Sequence, residues 1–226
     1  MGAAAQHIGI LPAPRLRSGL SDAVWRVFER AGAVAGTVLL APAFVGIGAA
    51  VAILSGRAPL VAHRRAGRNG RPFWMLKFRT MWDDRTAEES VGCCVVAYLE
   101  SSEHFVPVPK DGPDPRATSR LARFLRRYSL DELPQLLHVA AGQMALVGPR
   151  PLLPSELATY YGKAAVEVLA VPPGMTGLWQ VMGRSRLSYA QRRRLDLFLV
   201  RHNTVGMRFR ILAKTFPQVI RGANAW

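Results

Sequence analysis

The chain has 226 residues, with 30 Lys and Arg against 15 Asp and Glu and a formal charge of +15, a length that suits one domain plus an appendage around a sizeable core. So basic a balance calls for polyanionic partners: nucleic acid, anionic lipid or phosphorylated substrates. The only cysteines, Cys93 and Cys94, are adjacent; they lack the spacing of a zinc site or a secreted disulfide framework and point to a reducing compartment.

In chain order, the first element is the run Ala31 to Leu54, 24 residues without a charged side chain and long enough to cross a hydrocarbon core. A cleaved signal peptide has a shorter apolar region that begins nearer the start. Arg15, Arg17, Arg26 and Arg30 precede the run, and Arg57, Arg64, Arg65, Arg68 and Arg71 follow it. Because basic flanks tend to stay cytoplasmic, a single span would place one of them on the wrong side. Pro42 removes a backbone donor near the middle, and Gly36, Gly46 and Gly48 loosen the helix. The pattern favours a bent, re-entrant membrane helix over residues 21–56 rather than a span. It leaves 1–20 as a flexible N-terminus and 57–226 as a cytoplasmic domain.

Pro72 to Met81 (PFWMLKFRTM) reads as a strand, with Phe73, Met75, Lys77 and Arg79 on one face. Lys77 and Arg79 either hold a phosphate together or form a solvated strand end. From Asp83 to Asp114 the composition is polar and mixed, and this stretch reads as a variable loop with no assigned structure. Asp114 to Tyr128 reads as an amphipathic helix, with Arg116, Arg120, Arg123 and Arg127 in one stripe. That stripe suits a solvated or lipid-facing surface as well as an electropositive wall beside a site.

Next comes SLDELPQ, residues 129–135, which sets Asp131 and Glu132 side by side ahead of Pro134. Neighbours on a helix do not face each other, so the pair is not an opposed acid and base. Ser129 with Glu132 matches a capping box. A helix beginning near Asp131 instead puts Pro134 in the tolerant first turn and Asp131 at the helix's positive end, where a carboxylate stays ionised. Among arginines such a group is a weak base but a usable nucleophile for phosphoryl transfer. Gly142 marks the end of that helix, and Arg150 in Gly148-Pro149-Arg150-Pro151 stands on a stiff turn. On residues alone, the reading is a membrane-bound enzyme acting on phosphates.

Four motifs then occur in order: KFRTM at 77–81, SLDELPQ at 129–135, MALVGPRP at 144–151 and PGMTGLWQVMGRS at 173–185. Together they resemble the bacterial sugar transferases, the monotopic phosphoglycosyl transferases that start glycan assembly on a polyprenol phosphate. The resemblance runs from about Trp25 to Gly222. It implies transfer of a sugar 1-phosphate from a UDP-sugar to undecaprenyl phosphate, with release of UMP and use of Mg²⁺. It makes Asp131 the nucleophile of a covalent phosphosugar intermediate, and Glu132 its partner, either at Mg²⁺ or in activating the lipid phosphate. The metal-binding pair would be Asp131 and Glu132. Lys77, Arg79, Arg127 and Arg150 would neutralise phosphates. Trp179, Gln180 and Arg184 would form a substrate loop for the uridine end, unless Trp179 is simply buried. Three departures stand out: Ala41-Pro42 where Ser-Pro is common, His138 where Asn is frequent, and a partial basic glycine motif at Arg65-Ala66-Gly67. Without the multi-span N-terminal extension of larger relatives in the sequence, the expectation is the minimal monotopic form.

Ser188 and Gln191 predict a capping box, and Met207 to Arg221 reads as a basic amphipathic helix for the membrane interface or for core packing. The expected fold is α+β and mostly helical, a small catalytic domain with a re-entrant N-terminal helix and C-terminal interfacial helices. The implied location is the cytoplasmic face of a bacterial inner membrane, with membrane lipids as partners, no nucleic acid, and a homodimer left open. A nucleic-acid reader would leave the apolar run and the Asp131-Glu132 pair without a role. A non-catalytic membrane scaffold accounts for the run and the charge but not for the pair. No residue pattern tells which sugar is moved.

Overall fold

A computed structural model describes residues 19–82, 89–90, 95–99, 119–183 and 186–222. It is α+β and mostly helical. The described residues open with α1 (Leu20–Leu39) and α2 (Ala41–Ser55), which meet at Leu40 with a bend of 59°. Pro42 falls within the first turn of α2, where a missing N–H costs nothing because no intrahelical acceptor awaits it. The predicted kink is therefore present, and its cause is the junction of two helices rather than a distorted single one. No single helix among the described residues is long and apolar enough to cross a membrane; the bent pair together is, by length and composition.

Both arms of the pair pack on the same body. On α1 the buried residues are Trp25, Glu29 and Ala33, one stripe at i, i+4, i+8. Trp25 meets Phe209 edge to face at 5.0 Å, Glu29 accepts a hydrogen bond from the Leu146 N–H at 3.1 Å, and Asp22 pairs with Arg208 at 2.8 Å. On α2, Val51 is fully buried and Phe44 packs on Phe78 at 6.2 Å. The outer faces stay apolar and uncovered: Val24, Val27, Phe28, Val34, Val38 and Leu39 on α1, and Val45, Ile53 and Leu54 on α2 are exposed.

A four-stranded sheet follows, in the order β2-β1-β4-β3. β1 (Leu60–Ala66) and β2 (Pro72–Phe78) form an antiparallel hairpin; β4 (Val96–Leu99) lies parallel to β1, and β3 (Glu89–Ser90) antiparallel to β4. The stretch read as a loop thus contributes two short strands, because β4 pairs with β1 and β3 with β4, which supplies what the polar composition does not. The predicted strand ends at Phe78, three residues early, and Arg79 lies beyond it. α3 (Arg120–Arg127) is shorter than the expected helix: Ser119 is its N-cap, its side chain accepting from the Ala122 N–H at 2.9 Å, while Asp114 to Thr118, with Arg116, lie outside the described residues.

After α3 come a 3₁₀ turn at Leu130–Glu132 and α4 (Gln135–Ala140), then β5 (Ala145–Val147), α5 (Pro154–Glu156) widening into a π turn at Leu157–Tyr161, and α6 (Ala164–Val168). β6 (Gly174–Thr176) pairs in parallel with β5. α7 (Leu178–Met182), α8 (Tyr189–Arg201) and α9 (Val205–Arg221) complete the fold. The predicted Ser188–Gln191 capping box forms, with the two reciprocal bonds at 2.8 and 3.3 Å. On α9, Arg208 departs from the expected basic face: it is buried and bonds Asp22 and Asn203, tying α9 to α1.

Candidate active site

Ser129 adopts a left-handed backbone conformation, φ 55°, and its side chain makes no cap bond. The Ser129–Glu132 capping box therefore does not form; the residue turns the chain sharply out of α3 instead. The 3₁₀ turn that follows points Asp131 inward, 9% exposed, and sends Glu132 to Lys77, whose Nζ lies 2.6 Å from Oε1. Pro134 occupies the N-cap position of α4, so its missing donor is again harmless.

Lys77 is held in place by the register of β2, where it pairs with Val61 of β1. β2 is the sheet edge, and His138 of α4 satisfies part of that edge: Nε2 accepts from the Leu76 N–H at 3.0 Å, and Nδ1 lies 2.7 Å from Gln143 Oε1. With Nε2 accepting, Nδ1 carries the proton and donates, so the ring is neutral. Burial lowers its pKa in the same sense. The histidine at the position where Asn is frequent is thus a brace between α4 and the strand that presents Lys77.

Burial pushes the Asp131 carboxyl up to a pKa of about 6; Lys77 pulls it down, adjacent Glu132 pushes it up, and Arg126 pulls it down. The expectation of a permanently ionised, weakly basic carboxylate is corrected here, because desolvation outweighs the cations around it. At neutral pH the group is mostly ionised yet more basic than an ordinary aspartate, a character that suits a nucleophile or a base.

The other half of the site comes from the two glycine motifs. Gly148 N–H donates to Thr176 O at 2.9 Å and Gly174 N–H to Pro149 O at 2.7 Å. A Cβ on Gly148 would stand 2.8 Å from the Gly174 nitrogen, so only paired glycines let these backbones touch. This contact brings MALVGPRP against PGMTGLWQ and sets the Arg150 guanidinium 5.8 Å from the Trp179 ring, with Arg192 of α8 at 4.9 Å from the same ring. Arg65 of β1 joins the cluster, 3.6 Å from Glu156. Its pKa is lowered to about 10 by burial and by the charge of Arg150, with Glu156 and Glu132 opposing. Arg65 Nε is buried without a hydrogen-bond partner among the described residues. A desolvated guanidinium beside a second one, with an orphan donor, is an arrangement that an anion would relieve.

The expected site residues therefore separate. Asp131, Glu132 and Lys77 come together, and the fields of Lys77 on Asp131 and of Arg150 and Glu132 on Arg65 join them to the arginine cluster. Arg79 is buried, its Nε donating to Ala58 O at 2.9 Å, which anchors the strand end. Arg127 is exposed and its side chain lies against Gly222 and the Tyr128 ring; Arg126 is the arginine whose charge reaches Asp131. Trp179 is 4% exposed and covered by two guanidinium groups, so it packs rather than offering an open stacking face. Gln180 Nε2 donates to Met175 O at 3.3 Å, and Arg184 lies outside the described residues. Arg65, Arg126, Glu156 and Arg192 were missed as site residues; only the partial basic glycine motif at Arg65 hinted at any of them. Among the described residues no group of three His, Cys, Asp or Glu is gathered for a metal. Asp131 and Glu132 supply two carboxylates, a donor set that fits a Mg²⁺ whose other ligands are water and substrate phosphate.

Comparison with known proteins matches residues 20–222 to the family model described as bacterial sugar transferase. The chain is 41% identical over 203 residues to a UDP-galactose-lipid carrier transferase of Erwinia amylovora, covering 89% of this chain and 41% of that protein. It is 40% identical over 196 residues to the exopolysaccharide production protein ExoY of Rhizobium meliloti, covering 86% and 84%. It is 39% identical over 173 residues to an undecaprenyl-phosphate galactose phosphotransferase of Salmonella typhimurium, covering 76% and 35%. The chain thus spans less than half the length of the first and third of these relatives and most of the second.

Proposed function

Because the chain belongs to the bacterial sugar transferase family, we propose that it transfers a sugar 1-phosphate from a UDP-sugar to undecaprenyl phosphate and releases UMP. The observation that supports phosphate chemistry best is the half-buried Arg65 with its buried, orphan Nε, within the fields of Arg150 and Glu132. In the first half-reaction an Asp131 carboxylate oxygen attacks the sugar-linked phosphorus. The bond from that phosphorus to the bridging oxygen breaks, UMP leaves with the electron pair, and the sugar phosphate stays on Asp131 as an acyl phosphate. In the second, an oxygen of undecaprenyl phosphate attacks the same phosphorus and the Asp131 carboxylate departs. Lys77, Arg65 and Arg150 neutralise charge on the donor diphosphate and the departing phosphate. Asp131 and Glu132 would hold Mg²⁺, which when bound supplies further neutralisation of phosphate charge. Purified protein with Mg²⁺, undecaprenyl phosphate and a panel of UDP-sugars should release UMP with at least one sugar. Failure with every donor would remove this reading.

The membrane placement belongs to the same proposal. The exposed apolar faces of α1 and α2 would be worth roughly 1.5–3 kcal/mol per large side chain if withdrawn from water. Both arms of the bend return to one body, through Trp25 and Glu29 on α1 and Phe44 and Val51 on α2. We place that bend in the cytoplasmic leaflet of the inner membrane as a re-entrant pair, with the remainder on the cytoplasmic face. Single cysteines at Arg26 and at Arg57 should both react only after the membrane is made permeable. Reaction of the first from the periplasm in intact cells would mean that the segment spans.

A further inference from the structure

Helices α7, α8 and α9 border an open groove of about 670 Å³. Its apolar lining includes Leu178, Val181, Phe198, Met207 and Ile211; its basic lining comes from Arg210 and Lys214, with His202. Among the described residues that line it there is no carboxylate. Arg210 and Lys214 are one turn apart on α9, so their charges lie in one line along the groove. Phe209, Phe216 and Ile220, exposed by 54%, 70% and 59%, form the neighbouring stripe of α9. The basic pair therefore borders an uncovered apolar face while also lining the groove.

We infer that this groove seats an anionic glycerophospholipid of the bilayer, one acyl chain lying in the groove and the phosphate held by Arg210 and Lys214. The inference does not depend on the role of Asp131. Hydrocarbon lining and paired cations ask for an apolar tail and an anion in one molecule, and basic pockets between helices suit lipid head groups for that reason. Charge argues against the other occupants at hand. A second copy brings its own +15, and residues 1–18 carry Arg15 and Arg17 but no carboxylate.

The test uses the full chain in phosphatidylcholine nanodiscs that contain phosphatidylglycerol with a photoreactive acyl chain, followed by peptide mapping. Label should concentrate on peptides holding Phe198, Met207 and Ile211. The double variant Arg210→Ala/Lys214→Ala should lower it about tenfold or more. Val181→Trp, which fills the groove and leaves the cations, should lower it as well, and the exposed pair Arg64→Ala/Arg71→Ala should not. Equal labelling by a phosphatidylcholine probe, or label spread evenly along the chain, would overturn the proposal. So would displacement of the probe by equimolar undecaprenyl phosphate, which would make the groove an acceptor site, or Lys214 cross-linking mainly to another copy. Arg210 and Lys214 are exposed, so the double variant keeps the experiment decisive if Val181→Trp fails to fold.

Discussion

Asp131→Asn is expected to abolish turnover while raising the melting temperature at neutral pH. The loss follows from chemistry: Asn has no carboxylate oxygen to attack phosphorus. The gain follows from burial. The carboxyl has an ordinary pKa of 3.8 and is raised to about 6 in the fold. A raised acid is penalised when ionised, and the penalty grows as pH climbs above the unfolded value and is complete above the folded one. At pH 7 the folded protein bears all of it, on the order of 1–3 kcal/mol, and Asn relieves it. Near pH 3 both residues are neutral and the difference should vanish. Incubation of wild type with labelled UDP-sugar and Mg²⁺, without lipid acceptor, should leave sugar phosphate on the protein, and Asp131→Asn should carry none. Adduct formation should rise with pH as the Asp131 carboxyl ionises, with a midpoint lower than the metal-free value of about 6 because a bound Mg²⁺ favours the carboxylate, in a window where the donor diphosphate diester does not titrate. An Asn variant that still carries the adduct would end the covalent role. Lower stability at pH 7 with residual turnover would mark the aspartate as structural, and a wild type without adduct under rapid quench would favour direct transfer.

Lys77→Ala should slow adduct formation by about tenfold to a thousandfold and move its pH midpoint upward. Lys77 is the leading group that lowers the Asp131 pKa, and it also holds Glu132 at 2.6 Å. Without it, two adjacent carboxylates share the site with less opposing charge, so Asp131 stays protonated to higher pH. Stability should change little, because the pair is partly solvated and such bridges are worth about 1 kcal/mol or less. Lys77→Arg should restore the midpoint better than the rate, since the charge returns but the compact ammonium does not. Near-normal rates with an unmoved midpoint in Lys77→Ala would return the residue to a surface role.

Much of this protein is legible along the chain because the relevant physics is local. Proline lacks an N–H wherever it stands, so Pro42 marks a break in the apolar run whatever packs against it. Ser188 and Gln191 cap α8 through bonds that span three residues. The four motifs carry the family by order and spacing. Yet Ser129 and Glu132 show the same rule failing: the capping box was present as letters, but Glu132 is drawn to Lys77, 55 positions away, and the left-handed Ser129 turns the chain elsewhere.

What tertiary structure alone decided depends on distant surfaces meeting. Spacing put Arg127 in the stripe, but which arginine of α3 bears on Asp131 depends on how the chain turns at Ser129, and that choice is Arg126. Trp179 could have been a stacking platform until Arg150 and Arg192 closed over it. β4 is a strand because β1 lies beside it. The character of Asp131 was the least accessible to sequence. A carboxylate beside arginines reads as a low-pKa anion, but burial by elements remote in the chain removes water from it, and in this site that loss outweighs the favourable charges.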